Sequence, residues 1–111
     1  MVMLKAGEKL ILQEKASIEG GGSGILTLTN ARIVLERQEG LLSKKFITAF
    51  STPLESIHNV WTEGMVMKKL SIELSWSRGP NMPSQISKWK FGVSSPQQWE
   101  TTIKSAMQQA M

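Results

Sequence analysis

Residue types that could perform catalysis are scarce in this sequence. It contains a single histidine, His58, and no aspartate, cysteine or tyrosine. An aspartate orients the imidazole in a Ser-His-Asp arrangement, and one imidazole without clustered carboxylates cannot hold a metal ion. The glutamates that fall near predicted turns are interpreted as solvated charge, not as an acid and base pair: Glu36, Glu39, Glu55 and Glu63. The sequence therefore predicts a protein that is not an enzyme, with no metal and no cofactor.

A glycine-rich stretch, EGGGSG at residues 19–24, is the segment closest in composition to a phosphate-binding loop. It lacks the Gly-Lys-Ser/Thr sequence of a P-loop, and it leads into a predicted strand instead of the N-terminus of a helix. Glycine inside a strand carries an entropic cost. We therefore expect Ile18–Gly24 to form a flexible loop between the first two strands.

Basic residues are in modest excess, with a formal net charge of +4 and a pI near 9.6. A charge of this sign favours anionic partners. The candidates for contact with an anionic ligand or lipid are Lys15, Arg32, Lys44, Lys45, Lys68, Lys69, Lys88 and Lys90. A patch of about four lysines would attract an anionic membrane by roughly 1 kcal/mol each. The pattern is equally consistent with solvated lysines that keep sheet edges from pairing with one another.

The tryptophans divide into two groups. Trp76, Trp89 and Trp99 fall on predicted inward positions, so we assign them to the core and not to a base-stacking surface, which argues against nucleic acid as a partner. Trp61 instead lies close to a short apolar segment. If that segment is exposed, it would form a surface for a protein partner or a second copy. The candidates for this interface are Trp61, Met65, Val66 and Met67.

Alternating apolar residues predict about seven short strands at hairpin spacing, between residues 9 and 93. The clearest is Lys69–Trp76, and Pro53 is expected to end the fourth strand. Two strands meet at Asn30 with no spacer, and we expect Asn30 to adopt positive φ there. Ser95 as N-cap and Pro96 as first residue predict one amphipathic helix over about 95–110. The predicted fold is mainly β, an antiparallel sheet or partly closed barrel with one C-terminal helix.

Three segments resemble the GRAM and bacterial pleckstrin-homology-like (PH-like) families. LTNARIVL (Leu28–Leu35) is similar to their strand-turn-strand, and GLLSKKFITAFSTPLESIHNV (Gly40–Val60) to the segment that follows it. FGVSSPQQWETTIKSAM (Phe91–Met107) is similar to the last strand and capping helix. The resemblance implies a single PH-like domain over residues 1–111, a partly open seven-stranded barrel or sandwich capped by a C-terminal helix. It also implies a binding module for lipid, peptide or another copy.

Arg32 follows the tight turn and has two interpretations. It either pairs with a nearby carboxylate, for which Glu55 is the candidate, or contacts a phosphate, and we favour the structural role. For the chain as a whole, two functions stay open. One is recognition of an anionic lipid surface or a protein segment, and the other is protein interaction or self-assembly without lipid. The N-terminus has no signal-peptide pattern, so we expect a cytoplasmic protein, peripheral at a membrane if it binds lipid.

Overall fold

The computed structural model describes residues 3–18, 21–39, 45–64, 67–76, 81 and 85–110. In that part of the chain, a single turn of 3-10 helix (Leu54–Ser56) separates the first four strands from the last three, and one α-helix, α1 (Pro96–Ala110), follows them. The strands are β1 (Leu10–Ile18), β2 (Gly21–Thr29), β3 (Arg32–Glu39), β4 (Lys45–Pro53), β5 (Ile57–Glu63), β6 (Lys69–Trp76) and β7 (Gln85–Gly92).

The described strands form one antiparallel sheet in the order β4-β3-β2-β1-β7-β6-β5. Its two halves meet at a narrow seam, because β1 and β7 pair only at Ser17↔Gly92 and Ile18↔Phe91. A Cβ atom on Gly92 would lie 2.5 Å from Ser17 Oγ, so a larger residue there would require the serine side chain to turn away. The seam brings the C-terminal end of β1 beside the C-terminal end of β7.

The sheet folds over on itself around one core. Phe50 of β4 packs against Trp89 and Phe91 of β7, with ring centroids 4.8 and 5.1 Å apart, although these strands belong to opposite halves of the sheet. Buried aliphatic side chains from both halves complete the core, among them Leu26, Leu28, Ile33, Leu35, Leu70 and Ile72. The predicted mainly β fold, seven antiparallel strands with one C-terminal helix, is confirmed.

Helix α1 packs against β5, β6 and the 3-10 turn. Its apolar stripe, predicted from the spacing of the residues, is buried at Trp99, Ile103 and Ala106. The helix begins at Pro96, as predicted, because proline has no N–H to lose at the first helical position. The helix thereby covers apolar surface that the strands alone leave open.

The prediction of a flexible loop over Ile18–Gly24 was wrong for Ile18 and Gly21–Gly24, which belong to strands, whereas Glu19 and Gly20 lie outside the described residues. Strand β2 begins at Gly21 and pairs with β1 up to Ile18↔Gly21. Glycine is needed there for space, because a Cβ atom on Gly24 would lie 2.0 Å from the backbone oxygen of Glu36 on β3. Gly22 has φ +59, which glycine adopts without the steric cost that a side chain would bring.

The expected positive φ at Asn30 was also wrong, since among the described residues only glycines have positive φ. The turn is held by side chains instead. Thr29 Oγ1 accepts hydrogen bonds from the backbone N–H groups of Ala31 and Arg32, both at 3.1 Å. Asn30 serves the N-terminal segment, because its Oδ1 accepts from Lys9 N at 2.8 Å and its Nδ2 donates to the carbonyl of Gly7.

Candidate functional site

Three of the predicted basic residues come together in a groove beside the seam between β1 and β7. This seam groove, about 510 Å³ in volume, is lined by Glu14, Lys15, Ser17, Met67, Lys68, Lys69, Gly92, Val93 and Ser94. Lys15 lies on β1, whereas Lys68 and Lys69 enter β6, so the groove joins residues more than fifty positions apart in the sequence. Met67 beside them is 77% exposed.

The backbone explains why these residues meet. Gly64 turns the chain after β5 with φ +119, and a Cβ atom there would lie 2.3 Å from the carbonyl oxygen of Met67. Only glycine fits this turn without strain. Leu70 then pairs with Phe91, which places the start of β6 next to Gly92 and therefore next to the end of β1.

The charges of the seam groove are mostly positive. Lys15 and Lys68 are exposed, and neither forms an ion pair with another residue in the part of the chain that the structure describes. Lys69 is half-buried in the same lining. The side chains of Lys15, Lys68 and Lys69 thus line one groove together with the exposed Met67.

The carboxylate in this lining, that of Glu14, already has partners. It accepts hydrogen bonds from Ser94 Oγ at 2.5 Å, from Ser94 N at 3.3 Å and from Trp99 Nε1. Burial by itself raises the pKa of Glu14, but these hydrogen bonds outweigh it and lower the pKa below the usual value. Glu14 is therefore a charged acceptor that ties β1 to the start of α1.

Arg32 is held in a clamp with the N-terminal segment. Its Nε donates to Glu8 Oε2 at 2.9 Å, and its Nη2 donates to Glu8 Oε1 at 3.2 Å and to the carbonyl of Met3 at 2.9 Å. Thr29 Oγ1 donates to the same Glu8 carboxylate at 2.7 Å. The carboxylate partner is therefore Glu8 and not Glu55, and the Nε and Nη2 donors of the guanidinium are taken up by Glu8 and Met3.

Lys88 and Lys90 lie together on the outer face of β7, as their spacing predicted, but they face a carboxylate. Their Nζ atoms are 3.4 and 2.8 Å from Glu63 Oε1. Trp61 Nε1 donates to Glu63 Oε2 at 2.9 Å, and Lys88 Nζ lies 5.1 Å from the centroid of the Trp61 ring. Hydrogen bonding with Lys90, and then with Trp61, lowers the pKa of Glu63 to about 2.

This cluster corrects two interpretations made from the sequence. Glu63 is not a solvated turn charge, because it bridges two lysines and a tryptophan. Glu36 is not one either, since its side chain is buried on β3. Trp61 is half-buried and has its indole N–H occupied, which weakens it as an interface residue. Of the other predicted residues, Lys44, Met65, Val66 and the side chain of Lys45 lie outside the described part of the chain.

Two contributors were missed from the sequence, Glu8 and Glu14. Glu14 did carry a signal, because it alternates with Leu12 and Ala16 on the inward side of β1, where an acidic residue needs a partner. Glu8 carried none, since its partner Arg32 is 24 residues away and no local pattern links them.

Other kinds of site find little support in the described residues. His58 is exposed and its Nε2 lies 3.7 Å from Glu73 Oε1, with no further acidic group to complete a metal site. Within the ranges that the structure covers, no helix has the length and apolar composition needed to cross a bilayer.

Comparison with known proteins adds no family. No protein-family model matches the chain, and no curated protein sequence matches it either.

Proposed function

We propose that this chain is a non-catalytic PH/GRAM-like binding module that docks on an anionic lipid surface through the seam groove. It would do so in the cytoplasm, as a peripheral protein. The observation that carries the proposal is the convergence of Lys15, Lys68 and Lys69 around the exposed side chain of Met67. Cations around an apolar tip suit a surface with anionic head groups above hydrocarbon.

The expected binding is weak and reversible. Each lysine near an anionic membrane contributes about 1 kcal/mol, so the two exposed lysines, Lys15 and Lys68, give roughly 2 kcal/mol. Insertion of the methionine side chain adds roughly 1.5 to 3 kcal/mol. The apolar part is insensitive to salt, whereas the lysine part weakens when the screening length falls to about 8 Å at physiological ionic strength.

Lys88 and Lys90 should contribute less than the lysines of the seam groove. Glu63 lies within ion-pair distance of both, so their combined field at a membrane is reduced by one negative charge. The alternative function is protein interaction through Trp61 and the Met65–Met67 segment, and the exposed side chain of Met67 supports it. The three lysines around Met67 favour an anionic lipid over an apolar protein surface.

The test is co-flotation with vesicles of phosphatidylserine and phosphatidylcholine, or of phosphatidylcholine alone, at low and physiological salt. The variant is Lys15→Gln/Lys68→Gln. Its matched control is Lys5→Gln/Lys9→Gln, which removes two exposed lysines outside the groove and gives the same net charge. Removing about 2 kcal/mol predicts roughly 30-fold weaker binding to the anionic vesicles for the groove variant and a much smaller change for the control.

Absence of flotation of the wild type on anionic vesicles at low salt would rule out the proposal. An equal loss in both variants would also do so, because it would show that net charge alone, and not the groove, draws the chain to the membrane.

A further inference from the structure

The two edges of the sheet are not treated alike. Strands β4 and β5 are the edge strands, and each lacks a strand partner on one side among the described residues. Helix α1 packs against β5, and Glu100 on the helix reaches Thr62 on that strand. β4 pairs with β3 on its inner side. In the described ranges, no strand pairs along its other side, and α1 packs instead against β5, β6 and the 3-10 turn.

The open edge of β4 is also apolar. Between Lys45 and Pro53 the strand reads FITAFST, with no charged residue. Phe46 and Ile47 are 38% and 36% exposed, and Thr48 next to them is exposed as well. Because successive side chains point to opposite faces of a strand, this end of β4 is uncovered on both faces.

Proteins normally protect an exposed edge with a charge, a proline or a covering element, since its free N–H and C=O groups accept another strand. None of these lies within residues 46–52 of β4. Leu35 pairs with Phe50 and Glu36 with Thr48, so Ala49 of β4 is an extra residue, a bulge that twists the strand beyond Thr48. The part suited to further pairing is therefore the first half of the strand.

We propose that this part of β4 pairs antiparallel with β4 of a second copy of the chain, with Ile47 at the two-fold axis. In that register the two Ile47 side chains face each other, and each Phe46 faces Thr48 of the other copy. Aromatic and β-branched pairs stabilise antiparallel neighbours. A second copy fits because residues 46–52 carry no charge and, in this register, Lys45 lies opposite Ala49 of the other copy, so no like charges come into opposition.

The expected dimer is a weak one. The paired segment is short, and interfaces of this size lie at the low end for specific complexes. The dimer should therefore form in a concentration-dependent way. No residue of β4 lines the seam groove, so the outcome of the flotation experiment does not decide whether the strands pair.

Cross-linking tests the register directly, because the chain has no cysteine. Opposite residues of an antiparallel pair have Cβ atoms about 4.5 to 5.5 Å apart, close to what a disulfide spans. Under mild oxidation, Ile47→Cys should form a covalent dimer at least tenfold faster than Ile86→Cys, a more exposed position on β7. Equal rates for the two variants would refute the proposal.

Sedimentation velocity over a range of protein concentrations gives a second test without oxidation. The wild type should shift from monomer to dimer. Ile47→Lys should stay monomeric, because two lysines would face each other at the axis. Ile86→Lys, the same substitution at a 60% exposed position on β7, should still dimerise. A wild type that is monomeric at every concentration, or an Ile47→Lys variant that dimerises like the wild type, would overturn the inference.

Discussion

Arg32 could bind a phosphate by its chemistry, but in this fold it forms a structural ion pair. A guanidinium presents donors in a planar fork that suits a phosphate or a carboxylate equally well. Here the fork is filled by the carboxylate of Glu8, which is only 3% exposed and also accepts from Thr29. The clamp holds the N-terminal segment over the turn between β2 and β3. We therefore expect the Glu8–Arg32 pair to contribute to the free energy of unfolding and not to ligand affinity.

The Glu8–Arg32 pair predicts a loss of stability in acid. The hydrogen bond from Arg32 is the main cause that lowers the pKa of Glu8 from 4.5 to about 2. Because the folded-state pKa is lower than the unfolded one, the pair stabilises fully above about pH 4.5, and this stabilisation is lost as the pH falls towards 2. We expect Glu8→Gln to lose on the order of 2 kcal/mol at pH 7 and to show a shallower decline below pH 4.5.

Urea unfolding between pH 3 and pH 7, followed by tryptophan fluorescence, measures both effects. The Glu8→Gln variant should keep part of the acid sensitivity of the wild type, because the pKa of Glu63 is also lowered to about 2. Glu55→Gln is the control, because Glu55 is exposed and was the partner that the sequence suggested. A Glu55→Gln profile that matches Glu8→Gln would contradict the clamp.

Gly24 carries a steric requirement that its neighbours do not share. An alanine Cβ there would lie 2.0 Å from Glu36 O and 2.9 Å from Glu36 C, both of them backbone atoms that cannot move without breaking the β2–β3 ladder. We expect Gly24→Ala to cost about 3 kcal/mol. Gly7→Ala should cost only about 1 kcal/mol, because φ is +82 but nothing lies within 4 Å of the new atom. Thermal unfolding of the two variants gives the comparison, and equal losses would refute it.

Helix α1 is attached to the sheet at two kinds of contact. Its apolar stripe packs into the core, and the Trp99 indole donates to Glu14, which also binds Ser94 just before the helix. The second contact links the helix to β1, whose C-terminal end forms the seam. The seam groove is thus built on the element that the helix fastens.

Ile103 should account for a large share of the stability that α1 gives to the fold. This side chain is fully buried, so Ile103→Ala is expected to destabilise the protein by about 2 to 4 kcal/mol through lost burial and an unfilled cavity. Thr101→Ala, at an exposed position of the same helix, should change stability by less than about 0.5 kcal/mol. Chemical denaturation checks both. A small effect at Ile103 would mean that the helix is not packed as described.

The elements that the sequence predicted well are those with a local cause. β6 spans Lys69–Trp76, as its alternation predicted, and α1 begins at Pro96 because proline fixes the first helical residue. The features that the sequence did not predict depend on contacts between residues far apart in the sequence. Gly24 looked like a loop residue, but the backbone of β3 is what excludes a side chain there. The lysines of the seam groove were recognised as candidates, yet their convergence depends on the β1–β7 pairing and the turn at Gly64, which no local pattern contains.

The molecule joins two half-sheets through a seam of two residue pairs, yet it encloses one core. Phe50, Trp89 and Phe91 bring aromatic rings from β4 and β7 into contact across the interior, so neither half can bury its apolar face alone. This arrangement predicts a single cooperative unfolding transition, because separating the halves exposes the core of both.

Far-UV circular dichroism, which follows the strands, and tryptophan fluorescence, which reports mainly on the second half, should give the same midpoint in urea. Phe50→Ala should lower stability by about 3 to 5 kcal/mol and shift both signals together. Two separate midpoints, in the wild type or in the variant, would show that the two halves unfold separately and that the shared core does not couple them.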